Sequence, residues 1–166
     1  SWGSIAQLAA EYETIAQAAQ HDRFVTLIRE SGLTPVEAED TIHSDAFGAL
    51  TAELRRAEAN HHNIDALMPR LVAARDFGDV DDIASVLHHR LARATARPAG
   101  SGRTRKVPRL IAGLVPEAAG EMSAEMQSAL SERRYLIEQR ADAILDRAVG
   151  EKQDWVLALG TSAIEP

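Results

Sequence analysis

Two adjacent histidine pairs, His61-His62 and His88-His89, are the first residues of this 166-residue chain whose chemistry invites a site. A metal on a helix needs ligands that share a face, at i and i+4, whereas successive side chains diverge by about 100°. No H-E-x-x-H occurs, so both pairs read as surface or structural histidines. The acids Asp76, Asp79, Asp81 and Asp82 of "DFGDVDD" have the charge and the glycine of a calcium loop. They lack its twelve-residue frame closing on a bidentate Glu. Carboxylates in the first turn of a helix are the simpler reading. "DFG" comes without a kinase catalytic loop or nucleotide lysine, "GSGRTRK" has neither Walker spacing nor a Gly-Lys-Ser/Thr ending, and Ser101 sits in no strand-turn-helix elbow. Cysteine is absent, which removes disulfides, thiolate zinc and a cysteine nucleophile together. The sequence therefore predicts a non-enzymatic chain with no catalytic residue, cofactor or metal.

What remains is charge. "RPAGSGRTRKVPR", residues 97–109, carries five cations and no acid in a protein of formal net charge -7. Read one way, it is a solvated loop whose arginines pair with acids elsewhere, each surface pair contributing about 0 to 1 kcal/mol. Read the other way, Arg103, Arg105, Lys106 and Arg109 sit on a flexible Gly-Ser backbone that follows nucleic-acid phosphates, with affinity falling steeply in salt. No aromatic is interleaved to stack on bases.

The elements that must position this stretch are helices. Only 4% of residues are aromatic against 45% hydrophobic, so the core is built from Ala, Leu, Ile and Val, and Ala with Glu, Arg and Leu favours helix. Ile5, Leu8, Tyr12 and Ile15 recur at steps of three and four. A second helical stretch holds Phe24, Val25, Leu27 and Ile28 and ends at Ser31-Gly32, either as its own helix or as the continuation of the first. "TPVE" at 34–37 combines an N-cap threonine, a proline at N1 and a capping-box glutamate. Ser44 or Asp45 caps the next helix, Asn63 begins another in which Pro69 forces a kink or a late start, and Asp79 as N-cap, with Asp82 three residues on in the first turn, heads a helix ending in Arg90, Arg93 and Arg97. Pro98 stops that helix. "LIAGLVP", 110–116, is a buried turn or a strand-like tuck. Ser123 caps the longest helix, whose stripe of Met126, Leu130, Ile137, Ala141, Ile144, Leu145 and Ala148 should stop at Gly150, with Trp155 docking back on the bundle.

The whole reads as one all-α, bundle-like domain over 1–166 with a long C-terminal amphipathic helix and an internal basic loop at 97–109. No run of about 18 apolar residues spans a bilayer and no signal peptide opens the chain, so membrane insertion is not expected and the setting reads as cytoplasmic. The chain starts at Ser1 and enters a helical pattern at once, which suggests a piece of a longer polypeptide.

Four stretches, "EYETIAQAAQHDRF", "SDAFGALTAELRRAEANHH", "ATARPAGSGRTRKVPRLIAGLVPEA" and "ERRYLIEQRADAILDRA", resemble the C-terminal region of actinobacterial MobF-type conjugative relaxases, the relaxase-helicases of plasmid transfer. The resemblance runs over almost the whole chain. Relaxases of this kind nick one DNA strand with tyrosines assisted by a histidine-bound metal and then unwind the duplex. This chain has no histidine triad and no Walker lysine, and Tyr12 and Tyr135 lie in helical patterns, so no catalytic residue carries over. The resemblance implies an accessory segment following the helicase part. Its expected role is recruitment of coupling or secretion proteins, or contact with other domains of the same relaxase. The alternative is an auxiliary DNA-backbone module, working on single-stranded DNA through 97–109. A homodimer through the long helix is compatible with either.

Overall fold

The computed structural model describes residues 2–164, with side-chain surroundings for 2–160. Six α-helices and one small hairpin follow in the order α1 (Trp2–Arg29), α2 (Pro35–Ile42), α3 (Phe47–Ala59), α4 (Ile64–Ala73), α5 (Ile83–Ala94), β1 (Leu110–Ile111), β2 (Val115–Pro116) and α6 (Ala124–Ile164). The strands are antiparallel, with Leu110 opposite Pro116 and Ile111 opposite Val115.

The first two stretches of helical pattern are a single 28-residue helix, α1, and two cores are built along it. Its C-terminal half contributes Phe24, Leu27 and Ile28 to the larger one, where Leu50 and Leu54 of α3, Met68 of α4 and Leu87 and Leu91 of α5 close round them. Its N-terminal half contributes Ile5, Leu8 and Tyr12 to a smaller core completed by Ile111 and Val115 of the hairpin and Leu130 and Ile137 of α6. Helices α1 and α6 run antiparallel: Gln20 donates to the Ala119 carbonyl just ahead of α6, and Arg133, further along α6, pairs with Glu11, nearer the start of α1. "LIAGLVP" is thus the strand-like tuck, and its buried residues Ile111 and Val115 join the smaller core.

Local signals set most helix ends. Thr34 accepts from the Glu37 amide at 3.2 Å while the Glu37 carboxylate accepts from the Thr34 amide at 2.9 Å, with Pro35 at N1. Replacing Thr34 with alanine removes the first of these bonds and is expected to lower stability by about 1 kcal/mol, read as a shift in the thermal midpoint. Gly32 takes φ +99 just beyond α1, the left-handed conformation that makes glycine the favoured residue there. Asn63 and Ser123 cap α4 and α6 by accepting from the amides of Ala66 and Met126.

Neither residue expected to cap α3 does so: Ala46 stands at its N-cap without a side-chain cap bond, and Ser44 instead shapes the turn before it. Its hydroxyl accepts from the Ala46 amide at 3.0 Å and donates to Asp82 at 2.7 Å, joining the starts of α3 and α5. Asp82, not Asp79, stands at the N-cap of α5. The Ser85 hydroxyl first, and Ser44 second, hold its carboxyl below the ordinary aspartate range. That contribution is present above the ordinary value and is lost as pH falls through the lowered one. Pro69 lies inside α4. Arg90, expected to complement its own helix end, instead donates to the carbonyls of Leu71 at 2.9 Å and Arg75 at 3.2 Å near the end of α4, and stacks on Phe77.

Two expectations fail in α6. Gly150 does not end it, because a helical glycine costs only about 1 kcal/mol against alanine and the following residues, "EKQDWVLAL", carry the helix on. Trp155 does not dock on the bundle: it is 67% exposed, in the exposed distal part of α6. Among the described residues no helix is long and apolar enough to cross a membrane.

Candidate functional site

The basic stretch is built as a turn displayed between anchors. After Thr95 closes α5, the Ala99 amide donates to the Asn60 carbonyl at 2.8 Å. His62 Nε2 lies 2.6 Å from the Arg97 carbonyl and His61 Nε2 lies 2.7 Å from that of Val107. His61 has φ +66, a left-handed conformation that turns the chain out of α3. Beyond the turn, the Arg109 amide donates to Ala59 at 2.7 Å and its guanidinium to the Glu58 carbonyl at 3.1 Å. The C-terminus of α3 therefore holds both ends of the segment, where free carbonyls favour donors and positive charge.

Between the anchors, Ser101 and Thr104 close a short 3-10 turn at Gly102–Thr104 through reciprocal bonds. Gly100 has φ +91, and a β-carbon there would stand 2.9 Å from the Thr104 carbonyl oxygen, so the turn requires glycine at that point. Arg103, Arg105 and Lys106 project from it, all exposed. Among the described residues Arg105 reaches the Gly100 carbonyl, at 3.4 Å.

Among the described residues, none of the five cations from Arg97 to Arg109 forms an ion pair with a carboxylate. The arginines that do pair are elsewhere, among them Arg23 with Glu58, Arg29 with Glu39, Arg55 with Glu13, Arg56 with Glu53 and Arg134 with Glu117. Of the four residues singled out in the sequence, Arg103, Arg105 and Lys106 share the open turn. Arg109 belongs to the anchor.

From Arg109 onward a polar seam fastens the chain across the two cores. The Glu117 amide donates to the Arg109 carbonyl at 3.0 Å. Arg55, 3% exposed, donates to the Pro116 carbonyl at 2.6 Å and to Glu13, while Gln20, fully buried, donates to Ala119. The Ala118 amide donates to the Tyr12 hydroxyl at 2.9 Å. Burial pushes the Tyr12 phenol above its ordinary value, and the Ala118 bond offsets part of that rise. Beside Tyr12 lies an open cavity of about 260 Å³ that includes Gln127, Ser131 and Arg134. Its guanidinium is already held by Glu117 at 2.5 Å and Glu138 at 3.1 Å, so the cavity offers little uncommitted charge.

The second exposed feature is the distal half of α6. Burial of large side chains on this helix ends at Ile144, after which Leu145, Val149, Trp155, Val156 and Leu159 all stand exposed. Residues 145–160 form an arm about 24 Å long at the α-helical rise. No signal short of the fold located the histidine anchors, whose carbonyl partners lie 35 and 46 residues away. The arm did carry a signal, since apolar residues continue at helical spacing through Gly150 to Leu159.

Among the described residues no three His, Asp or Glu side chains gather where they could hold a metal ion. The His88-His89 pair lies within α5, and Asp76, Asp79 and Asp81 stand exposed on the turn before it. No protein-family model, curated protein or solved structure matches the chain.

Proposed function

We propose that the chain is a non-catalytic accessory domain of a conjugative relaxase-helicase that acts by protein contact, recruiting the coupling or secretion machinery of DNA transfer. The setting rests on the resemblance of the four stretches quoted above. Protein contact rests on one observation: the α6 arm presents large apolar side chains to solvent instead of to either core. Exposed apolar surface of this kind is the usual mark of a site that another chain covers. A formal net charge of -7 also disfavours non-specific attraction to nucleic acid.

Capture of the coupling protein of the same transfer system by the immobilised chain tests the proposal. Replacing Leu145 and Val156 with aspartate should abolish capture, and replacing Arg103, Arg105 and Lys106 with alanine should leave it intact. The opposite pattern would move the contact to the basic turn.

One observation favours the second reading, an auxiliary DNA-backbone module: the three cations lie exposed on one turn with no carboxylate partner among the described residues. With three phosphate contacts on a single strand, the logarithm of affinity should fall against that of salt with a slope of about -2. Anisotropy of a labelled single-stranded oligonucleotide reads it. Binding at low salt that the triple alanine variant loses would support this reading, and no binding at about 50 mM salt would end it.

A further inference from the structure

We infer that the distal half of α6 pairs with the same segment of a second copy of this chain, antiparallel, about a two-fold axis near Gly150 and Glu151. This rests on the reading of the arm as a contact surface and names its first occupant. Leu145, Val149, Lys152, Val156 and Leu159 follow one another at steps of four, three, four and three, the spacing of a coiled-coil seam. The four apolar members are all more than half exposed. Gly150 and the β-branched Val149 and Val156 make this a poor stretch of isolated helix, and helices of such composition are held mainly by packing.

Lys152 decides the direction. In a parallel pair with matched register the two Lys152 ammonium groups would face each other across the seam. In an antiparallel pair each Lys152 lies over the partner's Val149, within reach of the partner's Asp146 one turn away, and each Leu145 lies over the partner's Val156. That arrangement repeats itself under two-fold rotation, as an isologous interface must. It also keeps the antiparallel sense in which α1 already lies on α6, whose last side chain packed in the smaller core is Ile144. Trp155 flanks the seam and stays open to a recruited protein.

The chain has no cysteine, so single introduced cysteines report the alignment without background. A mixture of Leu145→Cys and Val156→Cys chains should oxidise to the mixed disulfide, and neither variant alone should cross-link, because like residues lie about 16 Å apart along the axis at the helical rise. Light scattering of the unmodified chain should show mass doubling with concentration. Asp146→Lys and Lys152→Glu should each weaken association roughly tenfold, since each alters both symmetry-related Lys152–Asp146 pairs, and the double exchange should restore it.

Self-linking of Leu145→Cys would overturn the antiparallel alignment, and a chain that stays monomeric at its highest soluble concentration would overturn the pairing. In the monomeric case the coupling-protein capture separates the two failures. Loss of capture on changing Leu145 and Val156 to aspartate leaves the contact surface standing without a dimer, and unchanged capture removes both.

Discussion

Replacing Arg55 with alanine is expected to destabilise the protein by about 3 kcal/mol, the scale found when one member of a buried charge pair is removed. Arg55 projects from α3 and is nearly wholly buried, yet it serves the other core: one guanidinium nitrogen donates to Glu13 of α1 and another to the Pro116 carbonyl of β2. Alanine leaves that carbonyl without its donor and opens a space at the joint between the two cores. The loss is not symmetric. Glu13 keeps 39% of its side chain in solvent, so Glu13→Gln should cost less than about 1 kcal/mol while water takes over. Urea unfolding of the two variants measures the difference, and amide exchange in 110–116 should accelerate in the arginine variant first. Equal costs for the two would show that the ion pair, and not the joint, is what matters.

Ile137→Ala is expected to cost about 2 to 5 kcal/mol, the range for truncating a fully buried aliphatic side chain. Ile137 is 0% exposed, and it and Leu130, at 5%, are the two buried residues that α6 gives to the smaller core. The same truncation at Leu145, eight residues further along α6 and 63% exposed, removes no core contact and should change the stability of the monomer by under about 0.5 kcal/mol. Thermal melts of the two variants at low protein concentration test this contrast. A comparable loss at Leu145 would mean that the arm packs on the bundle.

Features decided within a few residues of sequence could be read before the fold was known. The Thr34-Glu37 box, the Asn63 and Ser123 caps and Gly32 after α1 depend on hydrogen bonds or backbone conformations local to their own turn. The long-range polar joints could not. In "ELRRAEA" the neighbouring Arg55 and Arg56 look alike, but the helix turns Arg55 towards Glu13 and β2 and leaves Arg56 to Glu53 and Thr95. His61 and His62 were weighed as metal ligands or surface residues, and the partners that give them a role are backbone carbonyls, which sequence does not display. At Gly150 a local rule pointed the wrong way: glycine often ends helices, but only where the chain then takes a left-handed turn, and here it does not.

The candidate site was legible in outline. The excess of cations at Arg103, Arg105 and Lys106 is real surface charge, whereas Arg97 and Arg109 stand at anchored ends of the segment. The arm was legible in its apolar spacing and was hidden by two linked assumptions, that Gly150 ended the helix and that a tryptophan near the end of an amphipathic pattern must return to the core.

The most direct measurement of the central claim is the emission of Trp155 in a Trp2→Phe chain, where it is the only tryptophan, as the coupling protein is added. A tryptophan-free coupling protein keeps the signal on the arm. If the α6 arm is where the recruited protein binds, the emission of this exposed indole shifts to the blue and saturates with binding. Binding that leaves the emission at its solvent-exposed position would place the contact elsewhere and contradict the account.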